Sequence, residues 1–589
     1  MIGLRWAVCY CAFVAVAGTT LFALGLLEGS MRPWHGWVAG LVGLPAGIIG
    51  AMQSSFAVNF RTPFTEQRWL DWAGGVAFFV FAFVAFFWLL YPAGQALKIS
   101  SPHNLGDLAL HLTLIRQIAF GGEFWPDNPL LSGSSLGYPV GMNLLNAAGE
   151  SNGWPTIPLL IGLGFAGAMA TLGALRAWGG WFVVFGFLFN GGLAGTAFFF
   201  DWQLRDFQAD LAWKSIGPTM LVTQRGFLFA FPAGCLLLAD LHKRLRRSGG
   251  ILPLWLTLSL FAAMPLFHMH TALFLGGLLV WWVVFGGFTA RKIGAILLGV
   301  ALVAWPGLLW FVTGRFEKRE GLLWKPGWMA EDQGIWFWIE NFGVLIPVLL
   351  VYVTGTILRL LRGRANVEER EAILFVVPAL IWFGICCLIS LHPWAWDNTK
   401  IMVWSYLALL PAIGSWLAVR CRPMEQMVVT VLLFFSGALS MLGAHTQGRV
   451  AWELAVRPEL VAIQRILDKV DPQSRIATAP RFDHPVLLLG RKVALGYPAH
   501  VWSHGLSYSW QLEDLNRLMK GEEGWEESAQ RLEVSFLFWG LREAEEFPDS
   551  MRPWLLFPLA TSQWGNLYDL RPFLALDGNR RNPPAESDP

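Results

Sequence analysis

About thirteen apolar stretches, each long enough to cross a bilayer, constrain this chain more than any other feature. They lie near 5–27, 34–53, 72–92, 155–174, 180–200, 221–240, 251–267, 270–288, 293–313, 341–361, 371–391, 400–419 and 425–444. Hydrocarbon offers no partner to a backbone N–H or C=O, so each stretch is expected to be a helix that satisfies its own peptide groups. Of the 589 residues 55% are hydrophobic and only 14% charged, against about 25% charged in soluble domains. The expected fold is a polytopic α-helical membrane protein with the lipid bilayer as its first partner. A formal net charge of +2 gives no reason to expect a nucleic-acid partner.

The first stretch, "RWAVCYCAFVAVAGTTLFALGLL", exceeds the roughly 7–15 residues of a signal-peptide core and reads as a retained helix. The six cysteines, Cys9, Cys11, Cys235, Cys386, Cys387 and Cys421, lie in or beside apolar runs and follow no disulfide or zinc spacing. Charge is sorted along the chain. Every second loop is basic: Arg61 and Arg68, Arg176, the group Lys243, Arg244, Arg246 and Arg247, then Arg291 and Lys292, the group Arg359, Arg362, Arg364 and Arg370, and finally Arg420 and Arg422. Short basic loops stay cytoplasmic, which puts the N-terminus inside and the alternate loops, with everything after about 445, outside. Splitting 251–288 at "FHMH" keeps both flanking basic loops inside. Ten of the eleven histidines then fall on the outer side, and His242 alone in a cytoplasmic loop.

The chain divides into a membrane domain at 1–445, carrying a large outer loop at 93–153, an extracytoplasmic α/β domain at 446–577, and a tail at 578–589 with the composition of a disordered segment. The outer loop, about sixty residues, is too long for a mere connector and is expected to pack on the membrane domain. It opens with "HNLGDLALHLTLIRQI", where Asp107 and His111 stand at i and i+4 on one helical face. Either this is a solvated first turn, with Asp107 favoured by the helix dipole, or it is a catalytic face.

Four other outer segments concentrate polar residues. "HPWAWDNTK" packs His392, Asp397, Asn398 and Lys400 into a short loop; Trp394, Trp396 and Lys400 suit an interfacial belt, but a belt needs no carboxylate, amide and imidazole together. "TQRGF" places Gln224 and Arg225 at the end of a span, where Arg is a bidentate phosphate partner or a snorkelling cation. "FHMH" offers His268 and His270, whose rings point apart on a helix and share a metal only if the turn is extended. The C-terminal "FDHPVLLLGRKVALGYPAHVWSHGLSY" holds His484, Arg491, Tyr497, His500, His504 and Tyr508, a sugar-binding surface or simply turns and core.

The outer loop with "GDLALH" and "EFWPDNPLLSGSSLGYPVG", the outer "QRG" and "HPWAWDNTK", and the extracytoplasmic C-terminal domain together resemble the GT-C superfamily of integral-membrane glycosyltransferases, which use polyprenyl-phosphate-linked sugars. The resemblance implies a loop carboxylate, here Asp107, that serves as base or positions the acceptor, with His111 orienting it or tuning its pKa. It implies that outer Arg or Lys residues, here Arg225 or Lys400, engage the lipid phosphate. The implied partners are a polyprenyl-phosphate sugar donor and a glycan, lipid or protein acceptor. The chain departs from the pattern in placing two spans before the helix that leads into the acidic loop. That loop lacks an adjacent Asp-Glu or Glu-Asp pair, so no metal ligands are assigned; no cofactor is specified, and a divalent cation is left open without a clear motif. The absence of any N-x-[ST] site favours a bacterial inner membrane over a eukaryotic lumen. A transporter or flippase of a lipid-linked saccharide, or an envelope-assembly scaffold, are the competing expectations; the first calls for internal repeats and midplane charges, and the sequence has neither.

Overall fold

The computed structural model describes residues 2–55, 62–63, 68–100, 105–208, 211, 213–246, 249–317, 321–330, 333–446 and 451–574. Arg61, His103, Asn104, Arg247 and the 578–589 tail lie outside the described residues. Helices dominate: α1 (Ile2–Glu28), α2 (Pro33–Gln53), α3 (Arg68–Phe87), α4 (Leu105–Phe120), α5 (Gly141–Ser151), α6 (Thr156–Phe189), α7 (Phe227–Leu245), α8 (Leu254–Phe267) and α9 (Met269–Phe285). There follow α10 (Phe288–Val312), α11 (Ile335–Phe342), α12 (Leu345–Leu361), α13 (Val367–Leu388), α14 (Thr399–Arg420) and α15 (Pro423–Thr446).

Among the described residues eight helices are long and apolar enough to cross a membrane, or up to nine if the bent pair α11 and α12 forms one span. The thirteen expected runs are therefore divided differently, for physical reasons visible in each. The runs at 155–174 and 180–200 meet in α6 as two helices divided by a kink at Gly179 and Gly180, where the expected break falls, and the second stays helical only to Phe189. At 14 residues, α8 rises only about 21 Å, short of a hydrocarbon core of about 30 Å. It meets α9 at His268, where the backbone is extended. α11 and α12 meet at 90°. α7 carries a fully buried Asp240 inside a packed bundle, neutralised by Arg244 with 2.7 Å between Nε and Oδ2 and by a hydrogen bond from Thr257. His242 lies within α7, buried, and not in a loop as expected.

The basic helix ends gather on one side of the bundle. Arg246 pairs with Glu371 at 2.8 Å, Arg359 with Glu369 at 2.8 Å, and Arg420 with the same Glu369 at 3.2 Å; Arg176 pairs with Asp71. The candidate polar segments lie at the other ends of these helices. All six cysteines are free thiols.

The chain leaves α3 into a hairpin, β1 (Tyr91–Ala93) and β2 (Ala96–Ile99), turned at Gly94, whose φ of +61° is costless only without a Cβ. β3 (Trp452–Val456), which follows α15, pairs antiparallel with β2 and ties the C-terminal region to the membrane bundle. Beyond it β4 (Arg475–Ala477), β5 (Lys492–Val493), β6 (Val534–Gly540), β7 (Pro558–Ser562) and β8 (Gly565–Asp569) form one five-stranded sheet in the order β5-β4-β6-β8-β7. β4 runs parallel to β5 and β6, and the β8 pairings are antiparallel.

The loop at 93–153 packs on this sheet as well as on the membrane bundle, more than the expectation allowed. Val493 N–H donates to Pro129 at 3.0 Å, Gly496 to Leu130 at 2.8 Å, and Ser132 to Ala494 at 2.9 Å. Phe124 and Trp125 meet Phe22 of α1 edge-on, with centroids 6.1 and 5.9 Å apart. The loop is thus a clamp between the two regions, which fixes the first turn of α4.

Candidate active site

Interruptions of helical structure position the candidate side chains. The first turn of α4 supplies Asp107. Before α7, residues Gly217–Leu221 form a π-turn, a distortion common at functional sites, and the chain then passes through Gln224 and Arg225. The break between α8 and α9 supplies His268 and His270, and the short turn before α14 supplies Asp397 and Lys400.

Asp107 is half-buried and its Oδ2 accepts a hydrogen bond from Gln224 Nε2 at 2.8 Å. Burial pushes its carboxyl up to about 6, Asp397 adds to the rise, and Lys400 and the Gln224 bond oppose it. Desolvation penalises the charged form and the neighbours only partly restore it. The result is a carboxylate poised near neutrality, as a general base requires.

His111 shares the face of Asp107 but does not hydrogen-bond to it, which corrects the expectation that it orients the carboxylate. Residues at i and i+4 stand about 5–6 Å apart at Cβ, and the imidazole turns instead toward Tyr138, with centroids 5.9 Å apart, and toward Asn143. Burial, then the nearby Arg225, lowers its pKa to about 3, so the ring is neutral at pH 7. Arg225 is only 3% exposed, and its Nε and Nη2 have no hydrogen-bond partner among the described residues. A buried guanidinium whose Nε and Nη2 lack an acceptor is costly.

Lys400 is differently committed. Its Nζ lies 3.0 Å from Asp397 Oδ1, and His392 Nδ1 lies 4.0 Å from the other oxygen of that carboxylate. His270 is within electrostatic reach of Lys400, Asp397 and His392. His268 uses Nδ1 on Thr271, accepting from its N–H at 3.2 Å, and so caps α9. The rings of His268 and His270 have centroids 5.5 Å apart. Among the described residues no group of three or more His, Cys, Asp or Glu is disposed to hold a metal ion.

Of the four His and Arg candidates in the C-terminal region, two reach this site. His500 sits over α4, close enough that a Cβ at Gly106 would lie 3.1 Å from its Nε2, and burial lowers its pKa to about 4. His504 packs on Tyr138 at 5.3 Å. The other two belong to the interior of the C-terminal region, a correction to the sequence reading. His484 is fully buried with its Nε2 2.7 Å from Glu543 and its Nδ1 accepting from Val486 N–H, and Arg491 donates to the carbonyls of Leu467 and Val470.

Asn398 is also corrected. It donates to Cys386 and Ile389 and accepts from Leu391, which spends its amide on shaping the loop. Trp394 and Trp396 stack beside it with centroids 5.5 Å apart. Two residues went unsignalled by sequence motif: Tyr138, within electrostatic reach of Asp107 and Asp397, and Asn143. The available signal for Asn143 was the spacing of Asn143, Asn146 and Glu150 at i, i+3 and i+7.

No protein-family model matches the chain, and no curated protein matches it. Among solved structures it is similar to the Archaeoglobus fulgidus oligosaccharyltransferase, crystallised tethered through a disulfide bond to an acceptor peptide containing the NVT sequon. The likeness has 11% sequence identity and a TM-score of 0.39, over 82% of this chain and 72% of that one.

Proposed function

We propose that this chain is a membrane glycosyltransferase of the GT-C type, moving a sugar from a polyprenyl-phosphate donor to an acceptor at the extracytoplasmic face of a bacterial inner membrane, in the synthesis of envelope glycan or glycoconjugate. The observation that carries the reading is a carboxylate held near pKa 6 at Asp107, bonded by Gln224, whose chain neighbour Arg225 is buried with Nε and Nη2 unpartnered among the described residues. One takes a proton, the other receives a departing anion.

In the reaction the acceptor hydroxyl loses its proton to Asp107 as its oxygen bonds to the anomeric carbon. The bond from that carbon to the phosphate oxygen breaks, and the lipid phosphate leaves with the electron pair. Arg225 stabilises the leaving phosphate with donors already in place, the electrostatic contribution that dominates many enzymes. A single displacement inverts the anomeric configuration. Lys400, committed to Asp397, acts on Asp107 through space and keeps part of it ionised at neutral pH. Neutral His111 and His500 and the Tyr138 hydroxyl border the acceptor side, where the clamp of outer loop and C-terminal region excludes bulk water.

The test is transfer of labelled sugar from a panel of polyprenyl-phosphate sugars by purified protein in lipid, with Asp107→Asn alongside. The reading requires transfer by the native protein and its collapse in the variant while donor binding survives. Donor binding without transfer in either protein would point to a transporter or scaffold instead.

A further inference from the structure

α5 carries Asn143, Asn146 and Glu150 along one face, at i, i+3 and i+7. All three are buried: Asn143 and Asn146 are each 1% exposed. Buried polar side chains are normally hydrogen-bonded. Here neither Oδ1 nor Nδ2 of Asn143 has a partner, nor does Oδ1 of Asn146. The Nδ2 of Asn146 only reaches back to the Met142 carbonyl at 2.8 Å. Asn143 faces the His111 ring, its polar neighbour, without closing a hydrogen bond to it, and His111 Nδ1 is likewise unbonded.

Close backbone approaches bring the start of α5 near the Arg225 segment. A Cβ on Gly141 would run into the ring of Phe267, and a Cβ on Gly226 into the Phe267 carbonyl. The start of α5, the end of α8 and the residue after Arg225 are therefore in contact, and the His111 imidazole, beside Asn143, lies within electrostatic reach of Arg225.

A carboxamide presents one donor and one acceptor side by side, matching a pair of adjacent hydroxyls, each of which both donates and accepts. The fixed charges nearby are already engaged: Glu150 with Arg116 at 3.7 Å, and Asp397 with Lys400 at 3.0 Å. We propose that Asn143 and Asn146 form the subsite that holds adjacent hydroxyls of an uncharged donor sugar, with its phosphate toward Arg225. An anionic sugar is disfavoured because the face offers neutral carboxamides and the one cation assigned here, Arg225, is taken by the phosphate. The inference rests on the lipid-phosphate-sugar reading above and assigns the residues that recognise its sugar.

The experiment measures binding by the full-length protein in lipid of two probes, a polyprenyl monophosphate and the same lipid phosphate bearing a neutral hexose or pentose. The native protein is expected to bind the sugar-bearing probe at least about tenfold more tightly, the discrimination expected of a site whose polar groups are otherwise left unpaired. Asn143→Leu is expected to abolish that advantage while binding the bare lipid phosphate as the native protein does. Retained binding of the bare lipid is the control for folding; if Asn143→Leu loses it, Asn146→Leu carries the same comparison. The proposal is overturned if the foldable variant keeps the full sugar advantage, or if a uronic-acid probe binds more tightly than the neutral one. A native protein that binds neither lipid overturns the donor reading itself, a result distinct from loss of sugar discrimination alone.

Discussion

The bond from Gln224 to Asp107 makes a quantitative prediction about the pH dependence of transfer. With a carboxyl near 6, the ionised fraction is about 0.9 at pH 7 and about 0.1 at pH 5, so kcat/KM falls roughly tenfold over that interval, whereas an ordinary Asp near 3.9 would lose almost nothing. Gln224→Leu removes a donor that stabilises only the charged form. A hydrogen bond to a charged group contributes about 1.5 kcal/mol, and one pKa unit corresponds to 1.36 kcal/mol, so the acid limb should move up by about one unit. The sign is fixed, because losing a stabiliser of the carboxylate makes it protonate at higher pH; the variant is then slowest relative to the native protein below pH 7 and recovers near pH 8. The assay is the initial rate of labelled-sugar transfer between pH 4.5 and 8.5 at subsaturating donor. A rate that is flat between pH 5 and 7, or a midpoint that stays put in Gln224→Leu, would refute the assignment of Asp107 as the base.

Four further outcomes are expected. Arg225→Met should lower transfer by roughly 10²- to 10³-fold, the typical cost of removing one preorganised donor from a developing anion, and Arg225→Lys should recover only part of it because an ammonium lacks the bidentate fork; kinetics on the labelled donor decide. Gly226→Ala forces a Cβ against the Phe267 backbone, so the loop must shift, and a displacement near 1 Å should cost on the order of 10²-fold in kcat while thermal unfolding of the purified protein changes little. Asp107→Asn should leave the protein as stable or up to about 1–2 kcal/mol more stable at pH 7.5, because the raised folded pKa means that folding works against the ionised carboxyl above pH 6 and a neutral amide removes that cost; a markedly lower melting temperature contradicts this. Glu543 accepts from His484, Ala479 and Gly540 and these partners hold its carboxyl below the usual range, so Glu543→Ala should destabilise the C-terminal region by about 3 kcal/mol, and the native contribution should fade as pH drops below the ordinary carboxylate range, as read by thermal denaturation from neutral pH down to about pH 2.

The helical membrane character followed from the sequence because bilayer thickness and unsatisfied peptide groups leave long apolar runs no alternative. Span count was less legible, since hydropathy does not register a 90° bend between α11 and α12, the short α8, or an aspartate neutralised inside α7. Local chemistry in single segments was also readable: Asp107, Gln224, Arg225 and Lys400 all stand out as polar residues at the ends of apolar runs.

Which of these meet, and which are spent elsewhere, was a matter of tertiary structure. The Gln224 bond to Asp107 spans 117 positions and no spacing rule encodes it. Asn398, His484 and Arg491 looked as promising as their neighbours, yet packing commits them to loop and core hydrogen bonds. Asn143 was inconspicuous in a short polar helix and became informative only because the fold buries it without a partner. Sequence alone therefore determined the solvent of each segment and the chemical groups on offer. Tertiary packing decided which groups remain unpaired, because a hydrogen bond or ion pair depends on ångström-scale positions that only distant segments brought together can set.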